Sequence, residues 1–338
     1  MLKLKENVAL DVIAMGRASV DFVPDTYGPT TQNHVYTKFL GGSPANTAVA
    51  MAQQGIRVGY IGKVGNDILG DYLRSYMAGK GIDVSHIAVC KDGSVHTGLS
   101  IAELLGPNNK RSNLYRSDAA DLYISMDEMD ETYIAGARIL LFSGTSLCNS
   151  PAREAVFLAI EYARRNGTLV AFDPDYRAQS WKSEADASLN YWLALQKSDI
   201  LIATREEMSI VEKLILPENE DDDASARLCM DNGVQLVVIK RGEDGATGYT
   251  AEGEKHHQGM FPSRVISLQG AGDSYSGTFC SRLVRGACLS EAMKYAAASA
   301  ALTVSGRSCS EHMPTYQMTK EFVAVCEAGH ADQWEFWS

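Results

Sequence analysis

The sequence predicts an α/β protein whose mostly parallel sheet is covered by helices on both faces. Three observations predict it. Apolar runs of strand length alternate with helical stretches along most of the chain, an order that suits right-handed crossover connections. Several helices carry their own punctuation, with proline just inside the start or glycine just past the end. Hydrophobic residues make up 45% of the 338 residues and charged residues 22%, enough apolar side chain for a large buried core.

The elements follow in order. Residues 10–16 are an apolar strand. Residues 43–54 read as a helix, with Ser43 as N-cap, Pro44 at the first helical position and Gly55 beyond the end. A strand at 58–61 and a helix at 68–77 come next. Strands at 138–142, 169–172, 200–203 and 234–239 alternate with helices at 151–165 and 224–230. The run from Glu218 to Asp223 reads as a solvated loop entering the last of these helices. A helix at 272–285 places Tyr275, Phe279, Leu283 and Val284 on one face and closes at Gly286. An alanine-rich helix covers 290–304. Two spans interrupt the alternation, about 17–40 and 94–117. The second reads as strands at 97–105 and 112–116 around the turn Gly106-Pro107-Asn108-Asn109. Both spans are expected to form a small β-rich lid on a single domain of residues 1–338.

Charge and composition exclude several function classes. Lys+Arg number 31 against 42 Asp+Glu, a net charge of -11, which argues against a nucleic-acid partner because phosphate backbones call for a positive field. One small anionic substrate held by a few arginines remains compatible. The longest apolar stretch, 296–304, falls far short of the ~20 residues of a membrane span. The seven cysteines include no Cys-x-x-Cys pair, so neither a zinc site nor a disulfide framework is expected, and the reading is a cytoplasmic protein. His256 and His257 are adjacent, point to opposite faces of a strand and are not expected to share a metal. The tail at 331–338, with Trp334 and Trp337, receives no assignment.

Two stretches carry chemistry. Gly270-Ala271-Gly272-Asp273-Ser274-Tyr275-Ser276-Gly277 follows an expected strand at 264–268 and opens a helix. Its glycines let consecutive N–H groups converge at the helix start, a cradle for anionic oxygens. Asp273 lies within that cradle, where an acid suits proton abstraction from a hydroxyl better than phosphate binding. Gly41-Gly42-Ser43-Pro44-Ala45-Asn46 permits close approach of a ligand to the backbone, and Asn46 offers both donor and acceptor to hydroxyls. The chain has no Gly-x-x-x-x-Gly-Lys-Ser/Thr, and the turn after the first strand, Gly16-Arg17-Ala18-Ser19, lacks Gly-x-Gly-x-x-Gly. A Walker-type nucleotide site and a dinucleotide-binding dehydrogenase are therefore not expected.

Taken together and in this order, the two stretches resemble the PfkB, or ribokinase-like, family of sugar kinases. Asp21, Thr204-Arg205-Glu206-Glu207 and Lys240-Arg241-Gly242-Glu243-Asp244-Gly245 fall where that family has its intermediate landmarks, and the likeness spans roughly residues 8 to 325. The resemblance implies a ribokinase-like three-layer α/β/α domain with a small β-sheet lid. It also implies transfer of the ATP γ-phosphate to a sugar hydroxyl. Asp273 would be the base, and the amides of Gly270, Ala271 and Gly272 the anion hole. Asp21, Gly42 and Asn46 would bind sugar hydroxyls, and Lys240, Gly242 and Gly245 would lie against ATP. Glu207 would help to hold Mg²⁺ through water. Two departures stand out. Ser267-Leu268 replace the Asp-Thr that precedes the family's Gly-Ala-Gly-Asp, which puts monovalent-cation activation in doubt. Thr204 replaces the usual Asn of Asn-x-x-Glu.

Finer features are similar to those members of the family that phosphorylate a keto-deoxy sugar acid in inositol breakdown. They are Gly16 to Asp21, Tyr115-Arg116, Asp173-Pro174-Asp175-Tyr176-Arg177, Thr204-Arg205-Glu206-Glu207 and Ser308 to Pro314. Arg17, Tyr115, Arg116 and Arg177 join the substrate-binding set, and Arg116 and Arg177 suit a carboxylate. The competing reading pairs both arginines with local acids such as Asp118 or Asp175. A kinase for 2-keto-3-deoxygluconate or a neutral ketose stays open, as does a catalytically silent sugar sensor, which an intact Gly-Ala-Gly-Asp disfavours. An exposed lid edge together with the resemblance is compatible with a homodimer through the lid.

Overall fold

A computed structural model describes residues 2–106 and 109–336, with the backbone alone at Lys110. Pro107, Asn108 and Trp337, on which parts of the expected turn and tail fall, lie outside the described residues. The first half of the chain forms β1 (Leu10–Met15), β2 (Ser19–Pro24), β3 (Tyr36–Gly41), α1 (Ser43–Gln53), β4 (Val58–Gly65), α2 (Ile68–Gly79), β5 (Asp83–Cys90), β6 (Leu99–Gly106), β7 (Asn109–Tyr115), α3 (Glu131–Ala135), β8 (Ala137–Ser143) and α4 (Ala152–Arg165). The second half forms β9 (Leu169–Asp173), α5 (Glu184–Leu195), β10 (Ile200–Thr204), α6 (Arg205–Glu212), α7 (Asp222–Asp231), β11 (Leu236–Lys240), β12 (Ala246–Thr250), β13 (Lys255–Gln258), α8 (Ala271–Val284), α9 (Leu289–Thr303) and α10 (Tyr316–Glu327).

Nine strands make the main sheet in the order β13-β12-β11-β10-β9-β8-β1-β4-β5. Pairing is parallel from β11 through β5, and only β12 and β13 run antiparallel. The strands are apolar because both faces are buried. In β1, Val12 and Ala14 enter one core cluster while Ile13 and Met15 enter the other, so successive side chains feed opposite layers. On one side lie α1, α2, α8 and α9; on the other, α4 presents Ala152, Ala155, Val156, Ala159, Ile160 and Ala163 to the sheet at helical spacing. The described fold is thus three-layered, as expected. The two interrupting spans supply β2, β3, β6 and β7, which form a second, four-stranded sheet in the order β3-β2-β6-β7.

Strand order reverses between β8 and β1: chain order runs one way through β4 and β5, the other way through β9 to β11. In open parallel sheets the crevice beyond the strand C-termini at such a reversal is where ligands bind. One packing contact prepares it. Gly277 lets α8 lie directly on α1, since a Cβ there would come within 2.7 Å of the Ala50 Cβ and 2.8 Å of the Thr47 carbonyl. A larger residue would push the two helix N-termini apart.

Two expected details differ. Residues 264–268 are not a strand. The Ile266 and Ser267 N–H groups both donate to the Val304 carbonyl (2.8 and 3.1 Å), so this apolar run is fastened to the end of α9 and adds no strand to a sheet. The acidic run from Glu218 is only partly solvated. Asp222 pairs with Arg205 and Arg241, and Asp223 pairs with Lys255, so two of its acids tie α7 to β11 and its neighbours.

Candidate active site

The site is built at the strand C-termini around the start of α8. Gly270 caps that helix in the left-handed region at φ 85°. A Cβ there would sit 2.2 Å from Cys309 Sγ, so glycine is required twice, by backbone angle and by space. The turn leaves the first amides of α8 without helical partners, beside Asp273. Ser43 Oγ donates to Asp273 Oδ1 at 2.7 Å, Asn46 Nδ2 donates to Oδ2 at 3.0 Å, and Cys309 Sγ lies 3.6 Å from Oδ2. Two motifs far apart in sequence thereby orient one half-buried carboxylate.

Ser43 corrects an expectation. Gly42, at φ 93°, is the N-cap of α1 and no side chain caps the helix. The serine hydroxyl is used on Asp273 instead. Gly42 also seats the backbone of Arg17, since a Cβ would approach the Arg17 carbonyl to 2.3 Å. Asn46 Oδ1 is buried with no partner, an acceptor aimed at a missing donor.

The second sheet brings Asp21 to the cleft. It accepts from Ser100 Oγ at 2.6 Å and Gln269 Nε2 at 3.0 Å. Gly41 is tied to it sterically, because a Cβ there would meet the Asp21 carboxyl at 2.5 Å. Tyr115, at the end of β7, is more than half exposed.

Beyond β9, β10 and β11 lie the remaining groups. Asp173 is buried and accepts from Ser276 Oγ at 2.8 Å. Burial pushes its carboxyl up to about 6, opposed by Lys240 and reinforced by Asp175. Burial likewise pushes Asp175 up to about 6, opposed by Arg177 and Arg17. Glu207 accepts from the Thr204 N–H at 2.8 Å in a capping box and from the Tyr176 N–H at 3.3 Å. Its carboxyl is raised by burial, against the pull of Lys240. Thr204 therefore performs the capping that the expected Asn would have, and Glu207 keeps its place. Lys240 Nζ reaches to 3.6 Å from where a Cβ on Gly272 would stand, which joins the acids to the amide cradle. Gly242 (φ 55°) and Gly245 (φ 81°) turn the chain from β11 into β12.

Arg116 and Arg177 are each paired with a local acid. Arg116 is buried and places Nε and Nη2 on Asp121 Oδ2 at 2.9 and 2.6 Å; its partner is Asp121, five residues on, not Asp118. Arg177 pairs with Asp175 at 2.5 Å. His256 and His257 lie on β13, whose alternate residues face opposite sides. No cluster of three or more ligating side chains suited to a metal occurs among the described residues, and no described helix is long and apolar enough to cross a membrane. Sequence reasoning missed Ser43 as a holder of Asp273, Cys309 as its neighbour, and Asp173 as a second buried acid beside the expected Glu207. For Asp173, an acid ending an otherwise apolar strand was the available signal.

Comparison with known proteins follows this geometry. The model of the pfkB family carbohydrate kinases matches residues 9–316. The chain is 40% identical over 331 residues to a 5-dehydro-2-deoxygluconokinase of Geobacillus kaustophilus (98% of each chain), and 38% identical over 323 residues to one of Clostridium beijerinckii (95% of each). Among solved structures, a PfkB protein from Polaromonas sp. JS666 is 25% identical with a TM-score of 0.81, covering 93% of this chain and 99% of that one. A putative ribokinase II from E. coli, in complex with ATP and Mg²⁺, has a TM-score of 0.84 at 24% identity over the same shares, a likeness of fold alone. An Asp held at the head of a glycine-cradled helix, at the reversal of a ribokinase-like sheet, accords with these matches, and the chain belongs to the pfkB family of carbohydrate kinases.

Proposed function

We propose that this protein transfers the γ-phosphate of ATP to the 6-hydroxyl of 5-dehydro-2-deoxy-D-gluconate, as a cytoplasmic step of inositol breakdown. The observation that carries the reading is the Asp273 carboxylate, gripped by Ser43 and Asn46 in the first turn of α8, whose start is turned by Gly270. Relatives at about 40% identity over nearly the whole chain bear the name of that activity, and this favours it over a neutral ketose kinase or a silent sensor.

Phosphoryl transfer asks little covalent chemistry of a protein; position and charge supply most of the effect. Asp273 takes the proton of the attacking hydroxyl as the oxygen becomes nucleophilic. The amides of Gly270, Ala271 and Gly272, with Lys240 beside them, hold charge on the moving phosphoryl group. Asp21 and Asn46 bind sugar hydroxyls, and Asn46 Oδ1 gains the donor that it lacks. Gly42 lets the sugar approach. The Lys240–Gly245 turn lies along the nucleotide. Asp173 and Glu207 are two buried acids, each opposed first by Lys240, a pairing that fits a divalent cation, and Mg²⁺ there would neutralise phosphate charge. The four-stranded sheet acts as a lid over the sugar, and its exposed edge suits a homodimer.

The test is release of ADP with a panel of 5-dehydro-2-deoxygluconate, 2-keto-3-deoxygluconate and fructose. Turnover of the first with kcat/KM at least about 100-fold above the others is expected, a gap of roughly 3 kcal/mol. Equal or better turnover of fructose would overturn the reading.

A further inference from the structure

Three arginines belong to the expected substrate-binding set, Arg17, Arg116 and Arg177, and they differ in what their N–H groups already hold. Arg116 gives two of its nitrogens to Asp121; Nη2 also reaches the Thr145 carbonyl at 3.0 Å, and Nη1 reaches Ser180 Oγ at 3.4 Å. Arg177 gives Nη2 to Asp175 and Nη1 to its neighbour's carbonyl. Arg17 has no carboxylate within 4 Å among the described residues. It makes one long bond, Nη1 to Ser19 Oγ at 3.3 Å, and its Nε is buried with no partner. Yet Arg17 is only 7% exposed. A buried cation with unused donors is costly to keep, and the usual resolution is an anion that arrives with the ligand.

The charges around the cleft pair off and leave the same residue over. Asp121 answers Arg116, and Asp175 answers Arg177. Asp173 and Glu207 are both moderated by Lys240 on the nucleotide side. Arg17 is felt by Asp175 through the interior, and Asp175 also feels Asp273, so Arg17 and the base share one buried field. The backbone fixes the arrangement further. Arg17 follows β1 at the strand-order reversal, and its carbonyl is seated on Gly42, the residue before Ser43. The chain that carries the guanidinium is thereby locked to the chain that holds Asp273.

We infer that Arg17 is the residue that reads the substrate's carboxylate, while Arg116 and Arg177 position the walls of the pocket through their own acids. This rests on the sugar-acid reading above and says which of the three arginines makes it selective. Guanidinium and carboxylate pair by two parallel N–H···O bonds, and in a buried pocket such a pair is among the stronger polar contacts.

The experiment compares wild type, Arg17→Met, Arg17→Lys, Arg116→Met and Arg177→Met on 5-dehydro-2-deoxygluconate and on its neutral C1 amide, with KM for ATP and thermal midpoints measured alongside. Arg17→Met should lower kcat/KM for the acid by about 100-fold, mainly through KM, and lower it far less for the amide. Its ATP KM and thermal midpoint should stay near the wild-type values, and Arg17→Lys should recover part of the acid preference. Arg116→Met should instead lose stability and affect both substrates alike. An unchanged acid-over-amide ratio in Arg17→Met overturns the inference, and its loss only in Arg177→Met transfers the role to Arg177. A wild type that turns over fructose but neither of these compounds removes the substrate reading itself, and this assignment with it.

Discussion

Ser43 Oγ and Asp273 Oδ1 lie 2.7 Å apart across 230 residues of sequence. With Asn46 on the other oxygen, the first helix of the chain holds the carboxylate of the eighth. The grip is a matter of orientation, and Ser43→Ala should lower kcat about 10-fold while leaving KM for ATP near wild type, measured by steady-state ADP release. A kcat unchanged by this substitution would mean that Asn46 alone fixes the base.

Asp273→Asn keeps the volume and most of the hydrogen bonding but cannot accept a proton. The expected loss in kcat is about 10²- to 10⁴-fold, the range for removal of a general base. Folding, followed by far-UV circular dichroism and a urea midpoint, should be close to wild type. A variant as active as the parent would end the proposal for the base.

Gly270→Ala tests the cradle. The added methyl would stand 2.2 Å from Cys309 Sγ, and φ of 85° is unfavourable for any side chain. Stability should fall by about 1–3 kcal/mol and activity by more than the stability loss explains. Adding Cys309→Ala relieves the clash but not the backbone angle, so recovery in the double variant should be partial.

Asp173 supplies a pH dependence with a definite sign. Its folded value, about 6, lies above the usual 3.8. Between those values the folded protein binds more protons than the unfolded chain, so the ligand-free protein loses stability as pH rises from about 4 to about 6 and then levels off. Asp173→Asn still accepts from Ser276 and should flatten this slope, adding about 3 kcal/mol at pH 8. Urea midpoints across pH 4–8 would read it; a parallel slope in the variant would assign the effect elsewhere.

Glu207→Gln retains an acceptor for the Thr204 N–H and removes a charge. The Mg²⁺ concentration for half-maximal rate should rise by roughly tenfold with the folded state intact, because one of two anionic groups toward the ion is lost. Titration of the rate with MgCl₂ at fixed ATP is the measurement. An unchanged half-point would leave Asp173 as the acid nearer the ion.

The layered architecture was legible because its strands are short apolar runs and α4 repeats its alanines at helical spacing. Of the edge hairpin only a strand at His256 and His257 was legible: β13 reads Lys-His-His-Gln, with nothing apolar to mark its register, and is held by pairing with β12. Helix α5 hid for the opposite reason. Leu189 and Leu193 are exposed while Ala187, Tyr191, Ala194 and Leu195 are buried, so its apolar residues run around the helix and blur the period. In the site, Asp273, Asn46 and the glycines could be read from local motifs. Ser43 could not, because a serine before proline satisfies a capping rule equally well. Nor could the Arg116–Asp121 pairing, since 3-10 helix and extended chain between them decide which acid comes within reach.

Gln54 donates to the Pro314 carbonyl at 3.0 Å, and Cys309 closes against Gly270. The centre thus joins residues near position 50 to residues near position 310. A chain cut just upstream of Cys309 is expected to release no ADP, because the turn at Gly270 loses the wall against which it closes.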